Sequence, residues 1–156
     1  ESPGNLAIAR FLLVQFINYF PLTHVAHHTE VEVSGRRARC RLPDLMIHSE
    51  ESLAALEGAS RATLPRDMPP PMLVVEVVSP DPTNRLRDYR YKRTEYAARG
   101  IAEYWIVDPE TAQITVCCWV DGQYEDTVVT GGDRIPSTVI PTLYLTPQQV
   151  FSLNPQ

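Results

Sequence analysis

The chain has 156 residues, of which 44% are hydrophobic and 21% are charged, and its formal net charge is −5 at pH 7. This composition excludes a disordered polypeptide and suits a folded domain with a substantial core. The acidic balance argues against a protein that coats nucleic acid nonspecifically, although a nuclease can still bind through local, metal-assisted contacts. We expect one mixed α and β domain over residues 1–156. Since Glu1 is not a methionine, we also expect part of the natural N-terminus to precede it.

The cysteines favour a reducing compartment, and we therefore expect a cytoplasmic protein. They are odd in number, two are adjacent, and their spacing matches neither a disulfide framework nor a zinc site. The cysteines are Cys40, Cys117 and Cys118. No segment has the length and uniform hydrophobicity of a membrane span or the flanks of a signal peptide, so we expect no membrane contact.

The first predicted helix runs from about residue 6 to residue 20. Ser2 and Pro3 resemble an N-cap followed by a proline in the first turn, and Pro21 ends the segment. Apolar residues lie on more than one side of this helix. We expect it to pack deeply or to be partly buried against a second subunit.

A hairpin with one apolar face and one charged face is predicted next. Valines alternate with glutamates over residues 30–33, a Ser-Gly pair turns the chain, and residues 37–42 alternate again. The charged face of the second strand carries Arg37, Arg39 and Arg41. A short helix over about residues 50–56 and a proline-rich connection over residues 64–71 follow.

A strand, a helix and a second strand come next in the sequence. Residues 72–79 are apolar and rich in valine, a helix begins near residues 83–84 and ends before Gly100, and residues 104–108 are apolar again. This order predicts a right-handed parallel βαβ unit. A hairpin that turns at the Asp-Gly pair 121–122 follows, and an apolar tail closes the domain.

One carboxylate interrupts the valine-rich strand. Glu76 lies in the middle of an apolar run that we expect to be buried on both faces. Burying an ionised carboxylate without a partner costs more than a small domain can tolerate, so Glu76 must meet a cation, meet hydrogen-bond donors, or stay protonated. A satisfied structural carboxylate is the alternative to a functional one. Asp44 is a second acidic candidate, although a Pro-Asp pair is also common in turns.

A lysine on the following helix is the natural partner of Glu76. Tyr89, Lys92 and Tyr96 are three and four residues apart and share one helix face, which predicts that Lys92 points inward. A lysine that only covers the two tyrosines with its aliphatic part is the alternative. Asp88, one turn earlier, is better explained by an ion pair on the helix face than by a role in a site.

The remaining polar clusters have both functional and structural explanations. Basic residues on the predicted helix could follow a phosphate backbone, but a solvated helix face explains such runs more often. They are Arg85, Arg87, Arg90, Lys92, Arg93 and Arg99. The hairpin arginines have the same two explanations. Histidines 24, 27 and 28 lack acidic or cysteine partners at useful spacing and are interpreted as surface residues. Tyr104 and Trp105 are predicted to be core, and Glu103 and Asp108 to end a strand.

Motifs between residues 43 and 109 point to a known family. They are Pro43-Asp44, Glu76-Val77-Val78-Ser79-Pro80, the series Asp88, Lys92 and Tyr96, the pair Gly100-Ile101, and the run from Glu103 to Pro109. Together they resemble a large bacterial family of restriction endonucleases within the PD-(D/E)XK phosphodiesterase superfamily, and the resemblance covers nearly the whole chain. It implies a restriction-endonuclease-like fold, with a mixed central sheet flanked by helices and an extra hairpin. It also implies metal-dependent cleavage of nucleic acid, with DNA as the expected substrate.

The resemblance implies roles for four residues. Asp44 and Glu76, helped by the backbone carbonyl of Val77, would hold Mg²⁺ or Mn²⁺, and Lys92 would orient the attacking water and neutralise developing charge. The superfamily pattern places its lysine two residues after the glutamate, where this chain has Val78. Relatives in this family instead carry the lysine on the following helix, at the position of Lys92. They also commonly have a Glu-rich segment before the first long helix, which this chain does not show.

Two other functions stay open at this point. A nuclease fold that binds nucleic acid or protein without catalysis fits the acidic charge and Val78. A metal-dependent hydrolase of another phosphate ester fits the same acidic residues. If the protein cuts both strands of a duplex, we expect a homodimer, with the apolar first helix as its interface.

Overall fold

The computed structural model describes residues 2–156. Its helices are α1 (Pro3–Phe16), α2 (Glu50–Ala55), α3 (Pro82–Leu86), α4 (Lys92–Ala98) and α5 (Pro147–Ser152). Its strands are β1 (Val25–Ala26), β2 (Glu30–Glu32), β3 (Cys40–Arg41), β4 (Leu45–Ile47), β5 (Thr63–Leu64), β6 (Leu73–Val77), β7 (Glu103–Asp108), β8 (Gln113–Val120) and β9 (Gln123–Thr130). A 3₁₀ turn, Leu22–His24, precedes β1. Within residues 2–156, none of the helices is long and apolar enough to cross a membrane.

Helix α1 begins at Pro3, as the predicted N-cap at Ser2 requires but earlier than the predicted start near residue 6, and it ends earlier than predicted. The Ser2 hydroxyl accepts a hydrogen bond from the backbone N–H of Asn5 at 3.1 Å, which is the expected N-cap. The helix ends at Phe16 rather than near residue 20. The reason is that the N–H groups of Asn18 and Tyr19 bond to carbonyls three residues back, which tightens the chain before Pro21.

The strands form a six-stranded mixed sheet in the order β1-β4-β6-β7-β8-β9 and a three-stranded sheet in the order β3-β2-β5. In the large sheet only β6 and β7 are parallel neighbours, and the other pairs are antiparallel. The predicted βαβ unit is therefore confirmed. In the small sheet β2 and β3 form the predicted hairpin, and β5 adds to β2 in parallel, a contact that local sequence patterns do not encode.

The large sheet lies between two layers. One face packs against α1 and α5 through side chains such as Leu12, Phe16 and Trp105, and the other face packs against α4 and the small sheet through side chains such as Val74, Tyr96 and Tyr104. These residues are almost completely buried. Because alternate residues of a strand point to opposite faces, the even-numbered residues of β6 face α4. Glu76 is one of them.

The helix between the two parallel strands contains an irregular turn. The sequence predicts one continuous helix from residues 83–84 to Gly100, and the structure instead inserts the π-helical turn Arg87–Tyr91 between α3 and α4. Asp81 caps the start of α3, and Gly100 follows the end of α4 with φ of +78°, as a helix stop signal requires. A π turn inside a helix is rare and is frequently found at functional sites.

The alternation of faces predicted for the hairpin is wrong at two positions, Arg41 and Leu42. The side chain of Arg41 is only 12% exposed and forms an ion pair with Glu95 of α4, whereas Leu42, predicted to be on the apolar face, is 52% exposed. Strand β3 ends at Arg41, so the strict alternation of a long strand does not continue to Leu42. The nearby Glu95 carboxylate, itself buried, holds the guanidinium against the helix.

Candidate active site

Glu76 receives two hydrogen bonds from the helix that follows its strand. The residue is 3% exposed in the middle of β6, where every residue is buried. The Lys92 ammonium lies 2.6 Å from Glu76 Oε2, and the Tyr96 hydroxyl donates to Oε1 at 2.9 Å. The inward lysine predicted from the helical spacing therefore meets the buried glutamate directly. The alternative of a lysine that only covers two tyrosines does not describe this geometry.

Lys92 is the only lysine in the chain. It is 7% exposed and is the first residue of α4, immediately after the π turn. Asp88, four residues earlier, lies beside it, with Asp88 Oδ1 3.0 Å from Lys92 Nζ. Asp88 thus forms the expected ion pair, but at 2% exposure the pair is in the interior and not on the helix surface.

The group formed by Glu76, Asp88 and Lys92, here called the acid–lysine cluster, contains two carboxyl groups and one ammonium. Burial raises the pKa of Glu76, Lys92 lowers it, and Asp88 raises it again, so that the result lies above the ordinary value. Burial by itself lowers the pKa of Lys92, but Glu76 and Asp88 outweigh it and hold that pKa above the ordinary value. Lys92 is therefore charged at neutral pH, a question that the sequence leaves open.

Asp88 adds a second carboxyl group to the cluster. Its Oδ1 is buried and lies 3.0 Å from Lys92 Nζ and 3.7 Å from Nε of Arg87, a partly exposed residue. Burying two ionised acids beside one lysine is costly unless a further proton or cation offsets their charge. An oxygen-rich site of this kind suits a hard divalent cation better than zinc.

Asp44 directly precedes β4, the strand that pairs with β6. Its Oδ2 accepts a hydrogen bond from the backbone N–H of Val77 at 2.7 Å, and the residue is half-buried. The antiparallel register of β4 and β6 pairs Leu45 with Val75, and one further step along this register would bring Asp44 opposite Glu76. The structure therefore places Asp44 next to the strand segment that carries the other two predicted metal ligands, Glu76 and Val77.

Asn5 contacts the candidate site, and the sequence analysis missed it. Its amide nitrogen lies 3.3 Å from each of three acceptors on the segment after Glu76, which are the carbonyl oxygens of Val77 and Val78 and the hydroxyl of Ser79. Asn5 is 5% exposed and lies on the buried face of α1, at helical spacing from Ile8, Leu12 and Phe16. A polar residue at that spacing was the available signal.

The donor set fits a magnesium-type ion only if backbone groups and water complete it. Within residues 2–156, no three His, Cys, Asp or Glu side chains lie close enough together to hold one metal ion. Mg²⁺ is commonly bound by one or two carboxylates, with waters or substrate oxygens in the other positions. The residues present therefore fit Mg²⁺ or Mn²⁺ and do not fit a site built entirely from protein side chains.

The other predicted polar clusters have mainly structural contacts. Arg85 pairs with Asp108 at 2.7 Å, Arg93 pairs with Asp126 at 2.9 Å, and Arg99 donates to backbone carbonyls. Most of the helix arginines are therefore engaged within the protein and do not form the solvated helix face that the structural explanation assumed. Tyr104 and Trp105 are completely buried, and the histidines at positions 27 and 28 are exposed, as predicted.

The fold and the acid–lysine cluster define the class of protein. A mixed sheet between helices, with a glutamate in the strand that precedes a parallel crossover and a lysine opposite it, is a restriction-endonuclease-like arrangement. Over residues 2–148 the chain matches the family model Uma2, whose description reads "Putative restriction endonuclease". The match covers almost the whole chain, and the chain belongs to this family.

A solved structure supports the fold. The chain is similar to a protein from Anabaena variabilis ATCC 29413 described as "a putative nuclease belonging to DUF820", with a TM-score of 0.72 and 16% sequence identity. The alignment covers 98% of this chain and 83% of the other. This likeness establishes the restriction-endonuclease-like fold predicted from the sequence. None of the curated protein sequences compared with the chain matches it.

Proposed function

We propose that the chain is a metal-dependent endonuclease that hydrolyses phosphodiester bonds of nucleic acid, with DNA as the substrate. The observation that carries the proposal is the contact of 2.6 Å between the only lysine of the chain and a glutamate buried in a central strand, beside a second buried acid. Membership in a family described as restriction endonucleases supports the same reaction class.

Asp44, Glu76 and the carbonyl of Val77 are the groups we expect to hold Mg²⁺ or Mn²⁺. When bound, such an ion polarises the scissile phosphate and lowers the pKa of an attacking water. Hydrogen bonds fix the backbone of Val77 at both of its polar groups. Asp44 accepts from the N–H of Val77, and Asn5 donates to the carbonyl of Val77. Asp88 supplies additional negative charge next to Lys92, which favours a cation in the same place.

Lys92 is proposed to stabilise negative charge on the reacting phosphate and to orient the attacking water. Its raised pKa keeps it protonated at neutral pH, so it acts as an ammonium donor and not as a free base. Asp88 contacts the Lys92 ammonium and Tyr96 donates to Glu76, so both residues are held in a fixed geometry. A fixed positive donor in a buried site lowers the transition-state energy more than a mobile surface lysine does.

A binding module without catalysis is the second candidate, and one observation favours it. Glu76, Asp88 and Lys92 are all less than 10% exposed, so the cluster is nearly closed to solvent. In such a module the cluster would be a structural ion pair only. The two candidates predict opposite results for a Glu76 variant.

The test is nicking of supercoiled plasmid in Mg²⁺ or Mn²⁺, with EDTA as the blank. We expect wild-type protein to nick the plasmid and both Glu76→Gln and Lys92→Ala to lose the activity. Glu125→Gln removes the same charge from an exposed position on β9 and should behave as wild type. Equal activity of wild type and Glu76→Gln would exclude the proposed site, and hydrolysis of only a small phosphodiester would favour another phosphate ester as substrate.

A homodimer and a cytoplasmic location stay part of the proposal. Exposed apolar side chains on and after α1, including Leu6, Val14 and Ile17, are the surface we expect to meet a second copy. Sedimentation at several protein concentrations would measure the mass, and a monomer at all of them would remove the dimer.

A further inference from the structure

Three arginines lie together in the turn of the β2–β3 hairpin. The turn, residues 34–39, is here called the arginine loop, and it contains Arg36, Arg37 and Arg39, all exposed. Within the described part of the chain, none of the three has a carboxylate at ion-pair distance, which also holds for Arg90 and Arg99 on the helix, whereas Arg41, Arg85 and Arg93 each have one. The loop lines a cavity of about 370 Å³, whose other basic residue, Arg66, is paired with Glu32 at 3.4 Å.

The arginine loop is held on the helix that carries Lys92. Gly35 lies so close to Glu95 that an added Cβ would be 2.9 Å from its side chain, so the close approach requires glycine. Arg41, just after the loop, donates to Glu95 Oε2 at 2.8 Å. The guanidinium of Arg37 stacks on Tyr91, 3.9 Å from the ring centre. Both ends and the middle of the loop are therefore fixed.

These contacts place the loop beside the acid–lysine cluster. Tyr91 directly precedes Lys92 on the helix, and Glu95 directly precedes Tyr96, which donates to Glu76. Arg41 is close enough to Glu76 and Tyr96 for their charges to affect it. The exposed guanidinium groups of the loop therefore lie beside the helix segment that carries Lys92 and Tyr96. Because the chain as a whole is acidic, this local concentration of unpaired positive charge is unusual.

We propose that the arginine loop binds phosphates of the nucleic-acid backbone next to the bond that is cut. This proposal rests on the proposed function and deepens it, since it names the surface that holds the substrate. Guanidinium groups match phosphate oxygens in charge and in geometry, and each phosphate contact releases condensed counterions, which makes the binding dependent on salt. Because phosphates do not depend on base identity, the loop would contribute affinity and position but not sequence specificity.

Binding is measured on Glu76→Gln protein, which should not cut, by fluorescence anisotropy with a labelled 20-base-pair DNA duplex at several salt concentrations. The loop variant adds Arg36→Gln and Arg39→Gln, both exposed. The matched control adds Arg61→Gln and Arg134→Gln, which remove the same charge elsewhere on the surface. Thermal melting checks that all variants fold.

We expect the loop variant to bind on the order of tenfold to hundredfold more weakly at 0.1 M salt, and its log–log salt dependence to lose about two units of slope, one for each phosphate contact. The control should keep both values. An RNA duplex of the same sequence shows whether the same phosphates are bound in RNA. Equal weakening in loop and control variants, no change in the loop variant, or no binding of either duplex would overturn the proposal. If wild-type protein fails to nick DNA but binding still depends on the loop, the proposed function fails and the binding surface stands.

Discussion

Two glutamates are buried in adjacent parallel strands, and their surroundings differ in kind. Glu103 in β7 is completely buried and accepts hydrogen bonds from Trp105 Nε1 at 2.8 Å, the Ser137 hydroxyl at 2.6 Å and the Thr138 N–H at 2.9 Å. All of these donors are neutral. Glu76 in β6 is equally buried, but its partners are an ammonium and a phenol, and a second carboxyl group lies beside the same ammonium.

The difference shows that burial alone does not identify a functional acid. The neutral donors around Glu103 fix the chain near residues 137–138 onto the sheet, and nothing in that arrangement calls for another ligand. Around Glu76, by contrast, two buried acids lie beside one lysine, with Arg87 3.7 Å from Asp88 as a further cation, and such coupled charged groups are more frequent at functional sites. We therefore assign a structural role to Glu103 and a role in the site to Glu76. The predictions below test this division.

The largest effect is expected on catalysis. Replacing Glu76 with Gln should lower the rate of metal-dependent plasmid cleavage by about 10³-fold or more, which corresponds to about 4 kcal/mol of transition-state energy. The isosteric amide can still accept from Tyr96, so the free energy of unfolding in urea should change by no more than about 1–2 kcal/mol. A Glu76→Gln protein that is strongly destabilised yet fully active would reverse the assignment.

The second effect is expected on stability. Replacing Glu103 with Ala removes the acceptor of several buried donors and should lower the free energy of unfolding by about 3–5 kcal/mol. The cleavage rate per folded molecule should stay near that of wild type. Urea unfolding measures the free energy of unfolding. The cleavage rate is divided by the concentration of active protein, which is determined by titration. Glu103→Gln keeps part of the acceptor capacity, so its stability should lie between that of wild type and that of Glu103→Ala. A loss of activity without destabilisation would instead place Glu103 in the site.

A smaller effect is expected at Tyr96, which positions Glu76. Removing its hydroxyl in Tyr96→Phe should reduce kcat about tenfold with little change in KM, and should cost about 1 kcal/mol of stability. Because the hydroxyl acts through Glu76, adding Tyr96→Phe to Glu76→Gln should reduce activity no further. Tyr104→Phe is the matched control, since that hydroxyl donates to the backbone carbonyl of Asp88 and not to a carboxylate. Equal losses from both phenylalanine variants would argue for a general packing effect.

The sequence predicts the parts of this arrangement that depend on local pattern. The valine-rich run around Glu76, the stop at Gly100 and the spacing of Tyr89, Lys92 and Tyr96 are local, and they lead to the βαβ unit and the inward lysine. They do not reveal whether a buried acid is functional. Glu76 and Glu103 both lie in apolar strands, and only contacts made far along the chain separate them.

The features that the sequence analysis missed depend on distant partners. The donors to Glu103 come from residues 137–138, Asn5 reaches β6 across more than seventy residues, and Glu95 draws Arg41 inward from another element. The π turn Arg87–Tyr91 has no local signal of its own, although the four-residue spacing of Asp88 and Lys92 does predict their ion pair. Such contacts follow from tertiary packing, which overrides local alternation and helical period.

Acid pH should reduce stability through a third buried group, the imidazole of His48. Burial, and then the charge of His24, lower the pKa of His48, which is 2% exposed with its Nδ1 2.9 Å from the Ser52 hydroxyl. Below the ordinary value of about 6.5 the unfolded chain binds a proton that the folded chain excludes, so the free energy of unfolding should fall as pH falls, by at most about 1.4 kcal/mol per pH unit.

Glu76 acts with the opposite sign, and this separates the two contributions. Because its pKa is raised in the fold, the folded state retains a proton above the ordinary value of 4.5, and stability should decrease as pH rises through that window. The free energy of unfolding, measured in urea and EDTA between pH 7.5 and pH 5, should therefore fall less steeply with decreasing pH in His48→Asn than in wild type. In Glu76→Gln it should fall more steeply than in wild type. If His48→Asn keeps the full acid sensitivity, the histidine is not its source, and activity lost at low pH must be attributed to the acid–lysine cluster itself.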